Sequence, residues 1–166
     1  MWVVAKIKKR EIGIFKEELI KKAGKDIQFY CPKIEYHQYF NNKVHRLEKF
    51  VLENYIFCYH TNFSKSIFMN KLRFIKGLKY FLNGYCQNQN EIIKFIKHCK
   101  HSENNKGYLT QTFFKSIITK KAKFISGPFT NMFFKILEKQ KNKLKIVVGN
   151  VVTTISDNSN YLYRPV

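Results

Sequence analysis

Acidic residues are scarce in this 166-residue chain: 11 Asp and Glu stand against 31 Lys and Arg, for a formal net charge of +20. Such a balance points to a polyanionic partner, nucleic acid being the commonest. Arginine is scarce too, confined to Arg10, Arg46, Arg73 and Arg164, so nearly all the positive charge is lysine. The abundance of Asn, Ile, Phe and Tyr matches what AT-rich codons supply. Codon bias can inflate lysine, but it does not account for the shortage of Asp and Glu.

Long apolar runs are missing. None reaches the ~18–20 residues that cross a bilayer, and the apolar stretch of MWVVAKIKKR is too short for a secretory signal, with its charges on the wrong side. A cytoplasmic protein without membrane contact is expected. The four cysteines (Cys31, Cys58, Cys86, Cys99) have no paired spacing and read as reduced, mostly buried thiols. Cys86, His98, Cys99 and His101 lack any CxxC, and His98 and Cys99 face different ways on a helix, so no metal and no cofactor is expected. Walker, GxGxxG, GxSxG and HExxH motifs are absent, and no carboxylate stands in a catalytic spacing. Cys31 or Cys58 with His60 reads as packing rather than a thiol dyad. The chain is not expected to be an enzyme.

What is present is a chain able to fold: 45% hydrophobic and 16% aromatic residues exclude a disordered tail. Trp2 to Lys8 reads as a strand. Glu11 to Ala23 carries Ile12, Phe15 and Leu19 at helical spacing, with Gly24 as its C-cap. Ile27 to Phe40 reads as an edge or bulged strand because of Pro32, and Asn41-Asn42-Lys43 as a hairpin turn. Phe50 to Tyr59 is the most β-like stretch and is expected to be the central strand. Ser64 to Ile75 reads as a helix capped by Ser64 or Ser66, with Ile67, Phe68 and Leu72 inward, and Gly77 ends it. Leu78 to Leu82 reads as a strand closed by Asn83-Gly84, and Asn90 to Cys99 as a helix burying Ile92, Phe95, Ile96 and Cys99.

From His101 to Gly107 the composition is that of a linker. Beyond it, Lys121–Ile125, Met132–Glu138, Leu144–Val148 and Val151–Ile155 are short β runs broken by Gly127-Pro128, Lys141-Asn142 and Gly149-Asn150, the pattern of a small barrel. Only Glu138 and Asp157 are acidic after residue 104, so this part carries the denser positive charge. The fold class is therefore α+β: an antiparallel sheet flanked by helices over residues 1–101, a linker over 102–112, and a β-barrel over 113–166.

In order along the chain, MWVVAKI, FYCPKIEYHQYFNNK, VLENYIFCY, IKGLKYFLNG and KFISGPFTNMFFKILE resemble successive segments of the NusG family of transcription elongation factors. The resemblance covers nearly the whole chain, with Gly127-Pro128-Phe129 similar to the start of a KOW module. It implies an NGN-like domain followed by an SH3-like KOW barrel. Glu53 replaces a preferred proline, Phe134 falls where KOW modules usually have glycine, and Val148 stands where housekeeping members carry a bulky aromatic that docks a ribosomal protein or Rho. These departures resemble the specialised RfaH-like paralogues. MFFKILEKQKNKLKIVV reads with either a helical or a strand period, while the β-branched density of IVVGNVVTTI favours strands.

The resemblance implies a monomer that binds RNA polymerase, suppresses pausing and acts in antitermination. Its clamp-helix contact would comprise Val4, Leu52, Tyr55, Phe57, Ile93 and Ile96. The segment Phe68, Met69 and Asn70 would meet the gate loop. Lys8, Lys9, Arg10, Lys21 and Lys76 match positions facing upstream or non-template DNA, and Arg10 and Arg73 are the candidates for base-edge contacts. The KOW module would meet nascent RNA or the ribosome. The alternative is a KOW-type ribosome- or RNA-binding protein without polymerase contact.

Overall fold

The computed structural model describes residues 1–40, 43–110, 113–114, 120–140, 142–156 and 161–166. Asn41, Asn42 and Lys141, named above as turn residues, and part of the expected linker lie outside them. The chain forms two compact units, one made of residues 1–33 and 50–101, the other of 34–49 and 102–166. The elements run in the order β1 (Trp2–Ile7), α1 (Ile12–Ala23), β2 (Gln28–Tyr30), β3 (Lys33–Phe40), β4 (Lys43–Phe50) and β5 (Tyr55–Tyr59). A 3-10 turn (Thr61–Ser64) then leads into α2 (Ser66–Leu72), β6 (Leu78–Phe81) and α3 (Gln89–His101). The remainder is β7 (Lys121–Phe124), β8 (Phe133–Gln140), β9 (Lys143–Val148), β10 (Val151–Ser156) and β11 (Tyr163–Pro165).

The first unit is built on an antiparallel sheet in the order β2-β5-β1-β6. Side chains alternate between its faces. Val3, Ala5, Ile7, Ile56 and Cys58 pack on one face against Phe15 and Leu19 of α1 and Met69 and Leu72 of α2. Val4 and Phe57 pack on the other against Ile96 of α3, with Trp2, Tyr55, Ile92 and Phe95 around them. Both faces being covered explains why WVVAKI and YIFCY read as near-continuous apolar runs rather than alternating ones. Gln89 fastens α3 to β1: its side-chain oxygen accepts from the Trp2 N–H (2.9 Å), and its amide donates to the Trp2 carbonyl (2.6 Å).

Three expectations are corrected here. The long strand over Ile27–Phe40 is two strands, because Pro32 has no N–H to continue a ladder and β2 and β3 join different sheets. The expected central strand over Phe50–Tyr59 narrows to β5. Its first residues form a turn in which the Tyr55 N–H donates to the Leu52 carbonyl (3.0 Å) and Glu53 sits at φ +52°. The helix expected over Ser64–Ile75 is preceded by a 3-10 turn in which the Asn62 N–H donates to His60 Nδ1 (3.2 Å), with Phe63 inserted into the core. The helix α2 itself buries Met69 and Leu72, keeps Phe68 half-buried and leaves Ile67 73% exposed. Lys65, not Ser64 or Ser66, stands at its N-cap, without a side-chain cap bond.

The second unit holds the β3–β4 hairpin and an antiparallel sheet in the order β10-β9-β8-β7-β11. Four strands fall on the runs read from the sequence; β11 was not expected, being three residues long and containing Pro165, which an edge strand tolerates. The segment readable with either period is strand, as its β-branched and aromatic content favours. Its core is aromatic: the Phe124 and Phe134 rings lie 4.5 Å apart, and Tyr163 meets Phe134 edge-on at 5.5 Å. Phe134, at the place where the family resemblance leads one to expect glycine, is thus a central packing residue. Residues 103–109 are knit by Asn104, whose side chain accepts from the N–H groups of Lys106 and Tyr108, both at 3.0 Å.

Gly77 has φ +82°, and a Cβ there would lie 2.9 Å from the Glu11 carbonyl oxygen and the Phe15 Cβ. Gly149, at φ +60°, faces open space. Gly149→Ala is expected to cost about 1–2 kcal/mol for the left-handed backbone alone. Gly77→Ala adds a collision with α1 and is expected to cost about 3 kcal/mol or more. Urea unfolding midpoints of the two variants check the order.

Candidate functional site

Three strands place Tyr55, Lys6 and Tyr80 side by side, because Lys6 is the register partner of Tyr55 on β5 and of Tyr80 on β6. The Lys6 ammonium donates to the Tyr55 hydroxyl (3.0 Å) and lies 4.8 Å from the Tyr55 ring centroid and 5.8 Å from that of Tyr80. The hydrogen bond to Tyr55 raises the Lys6 pKa, and the same bond lowers that of Tyr55. Leu52 is half-buried in the same apolar cluster, and Tyr80 is 46% exposed. An aliphatic and aromatic surface with one held cation is therefore presented on a rigid sheet.

Of the apolar residues singled out from the sequence, Val4, Leu52, Tyr55, Phe57 and Ile96 gather in this one cluster. Val4, Phe57 and Ile96 are its buried floor under α3, while Leu52 and Tyr55 form the accessible rim. Ile93 is half-buried on α3. Phe68 and Met69 belong to the cluster on the other face of the sheet, Met69 buried and Phe68 stacked on His60 at 5.6 Å. Lys6 and Tyr80 were missed, since neither is remarkable in sequence. Only the register of two non-local strand pairs, 49 and 74 residues apart, brings them to Tyr55.

The basic residues divide similarly. Lys8, Lys9 and Arg10 are exposed at the end of β1, with Arg10 at φ +66°. The Lys8 N–H donates to the Gly77 carbonyl (2.8 Å), which sets Lys76 beside them. Lys21 pairs with Glu18 at 3.0 Å, and Glu18, its pKa lowered chiefly by that bond, also feels Lys22 and Lys76. Four of the six cations thus lie around the start of α1, and Lys21 lies in its last turn. Arg73 instead lines a groove of about 350 Å³ along β6 with Lys79, Tyr80 and Tyr85.

Two of the four thiols, Cys58 and Cys99, are buried packing groups; Cys31 is half-buried, with burial pushing its pKa up to about 11, and Cys86 is exposed, against the expectation of mostly buried thiols. Among the described residues no three His, Cys, Asp or Glu side chains are grouped to hold a metal ion, and no helix is long and apolar enough to cross a membrane.

Because its folded-state pKa is raised, the Lys6 interaction is complete while the ammonium is charged and disappears as pH rises through that value. In an NMR titration of the lysine side chains, Lys6 is expected to deprotonate at higher pH than its exposed neighbours. Tyr55→Phe should bring it back among them; an unmoved Lys6 would mean the hydrogen bond does not form.

No family model and no curated protein matches the chain. Among solved structures it is similar to the MjSpt4:Spt5 complex in conformation B, at 10% identity and a TM-score of 0.37, covering 95% of this chain and 92% of that one. It is also similar to Thermotoga maritima NusG, from a structure of its domain interaction, at 14% identity and a TM-score of 0.35, covering 99% and 96%.

Proposed function

We propose that the chain is a non-catalytic transcription elongation factor of NusG type, specialised in the RfaH-like manner, that binds RNA polymerase and acts in antitermination by suppressing pausing. The observation that carries this reading is the rim of Leu52 and Tyr55, accessible beside a packed apolar floor and extended by Tyr80. An accessible apolar and aromatic patch on a preformed sheet is suited to receive helices of a partner, here the clamp helices of the polymerase's largest subunit. Val4, Phe57 and Ile96 act in it as support, shaping the rim from below, and Ile93 adds to its margin. Phe68, with Met69 beneath, faces the gate loop from the other side of the sheet.

The cations around α1 suit upstream or non-template DNA. Lys8, Lys9, Lys21 and Lys76 attract phosphates without reading sequence, and Arg10 and Arg73 supply the planar groups that reach base edges. The second unit is the KOW-like module, directed at nascent RNA or the ribosome. The alternative, an RNA- or ribosome-binding protein without polymerase contact, is favoured by one observation: positive charge is denser after residue 104, where only Glu138 and Asp157 are acidic, than before it.

Pull-down of core RNA polymerase at two salt concentrations separates these readings. The wild-type chain is expected to bind in a salt-resistant way, and Leu52→Ala with Tyr55→Ala to weaken binding about tenfold or more while the chain stays folded by circular dichroism. Binding that vanishes once salt screens the lysines, in wild type and variant alike, would overturn the polymerase reading.

A further inference from the structure

The second unit contains a cavity of about 650 Å³ whose lining, among the described residues, includes Tyr36, Lys49, Lys123, Asn131 and Arg164 and no Asp or Glu. Two of its cations oppose each other: Arg164 of β11 is the register partner of Lys123 of β7. Like charges facing across an antiparallel pair repel, so this fold sustains an arrangement that a bound anion would relieve. The next partner in the row is Phe133 of β8, 60% exposed, with the Lys123 ammonium 5.2 Å from its ring centroid. Arg164, Lys123 and Phe133 thus form a continuous row of two cations and an open aromatic face.

The wall beside the row is a fixed turn. The Phe124 N–H donates to the Met132 carbonyl, and the Asn131 N–H to the Phe124 carbonyl, each at 3.0 Å. Gly127 starts the turn at φ +86° with the Tyr161 ring where a Cβ would stand. The site is preformed, and its volume suits a nucleotide-sized group.

We propose that this cavity and Phe133 form a binding site for single-stranded RNA, with Lys123, Arg164 and Lys49 holding a backbone phosphate and the Phe133 ring stacking an adjacent base. It rests on the reading that the second unit meets nucleic acid, and it names where. The exposed ring next to the cation pair selects a strand over other polyanions: phosphates alone need no stacking face, whereas strand binders combine a basic groove with aromatic platforms.

The test is fluorescence anisotropy of the full chain with a labelled twelve-nucleotide oligouridylate across a salt series. Lys123→Gln with Arg164→Gln is expected to weaken binding about tenfold or more and to reduce the slope of log affinity against log salt by about 0.7 for each phosphate no longer neutralised. Phe133→Ala should weaken binding about fivefold or more with the slope unchanged. Lys135→Gln with Lys145→Gln removes the same charge elsewhere on the sheet and should change affinity less than threefold. Without RNA, the Lys123/Arg164 variant should melt at the same temperature as wild type or a few degrees higher, since a repulsion is removed. Wild-type binding with both variant pairs equally weakened overturns the site and leaves the nucleic-acid reading standing. Failure of the wild type to bind at low salt overturns that reading and the site with it. Displacement of the oligonucleotide by micromolar free nucleoside triphosphate would assign the cavity to free nucleotide and overturn the strand proposal.

Discussion

The first unit depends on β1 being buried on both faces. It pairs with β5 on one side and β6 on the other, meets α1 and α2 through Val3, Ala5 and Ile7, and meets α3 through Val4. The only charged side chain of a strand so enclosed, Lys6, is half-buried and held by flanking tyrosines. The candidate interface is therefore a by-product of how the core is closed. The same enclosure makes it rigid, because Tyr55 and Tyr80 take their positions from ladders anchored in the interior.

Much of the helical and strand content was legible because it rests on local period. WVVAKI, the Phe15–Leu19 stripe and the Ile92–Cys99 stripe each announce an element whose buried face the structure retains. What was illegible is what depends on partners distant in the chain. Pro32 reads as a bulge until β2 and β3 are seen to join different sheets. Ile67 reads as core, but the structure leaves it exposed and buries Phe63 of the preceding turn. The Tyr55–Lys6–Tyr80 row and the Arg164–Lys123–Phe133 row are invisible for the same reason, since each is a statement about register across three strands.

Charge and apolar surface act together in this chain rather than as alternatives. Lysines bring long-range, salt-sensitive attraction, which speeds encounter and discriminates little. Discrimination must come from the few places where a cation is held by neighbours instead of waving in solvent. Lys6 between two tyrosines and Lys123 over the Phe133 ring are two such places, one in each unit. Both pair a fixed positive charge with aromatic faces, and the first adds Leu52 as an apolar edge.

Hydrogen exchange of the whole chain, alone and with RNA polymerase in an RNA-bearing elongation complex, tests the central claim most directly. The account predicts slowed exchange at residues 52–57 and 78–82, the strands that carry the Tyr55–Lys6–Tyr80 row, persisting at moderate salt. Unchanged exchange there, with protection confined to the second unit, would contradict it and identify the chain as an RNA binder that does not engage the polymerase.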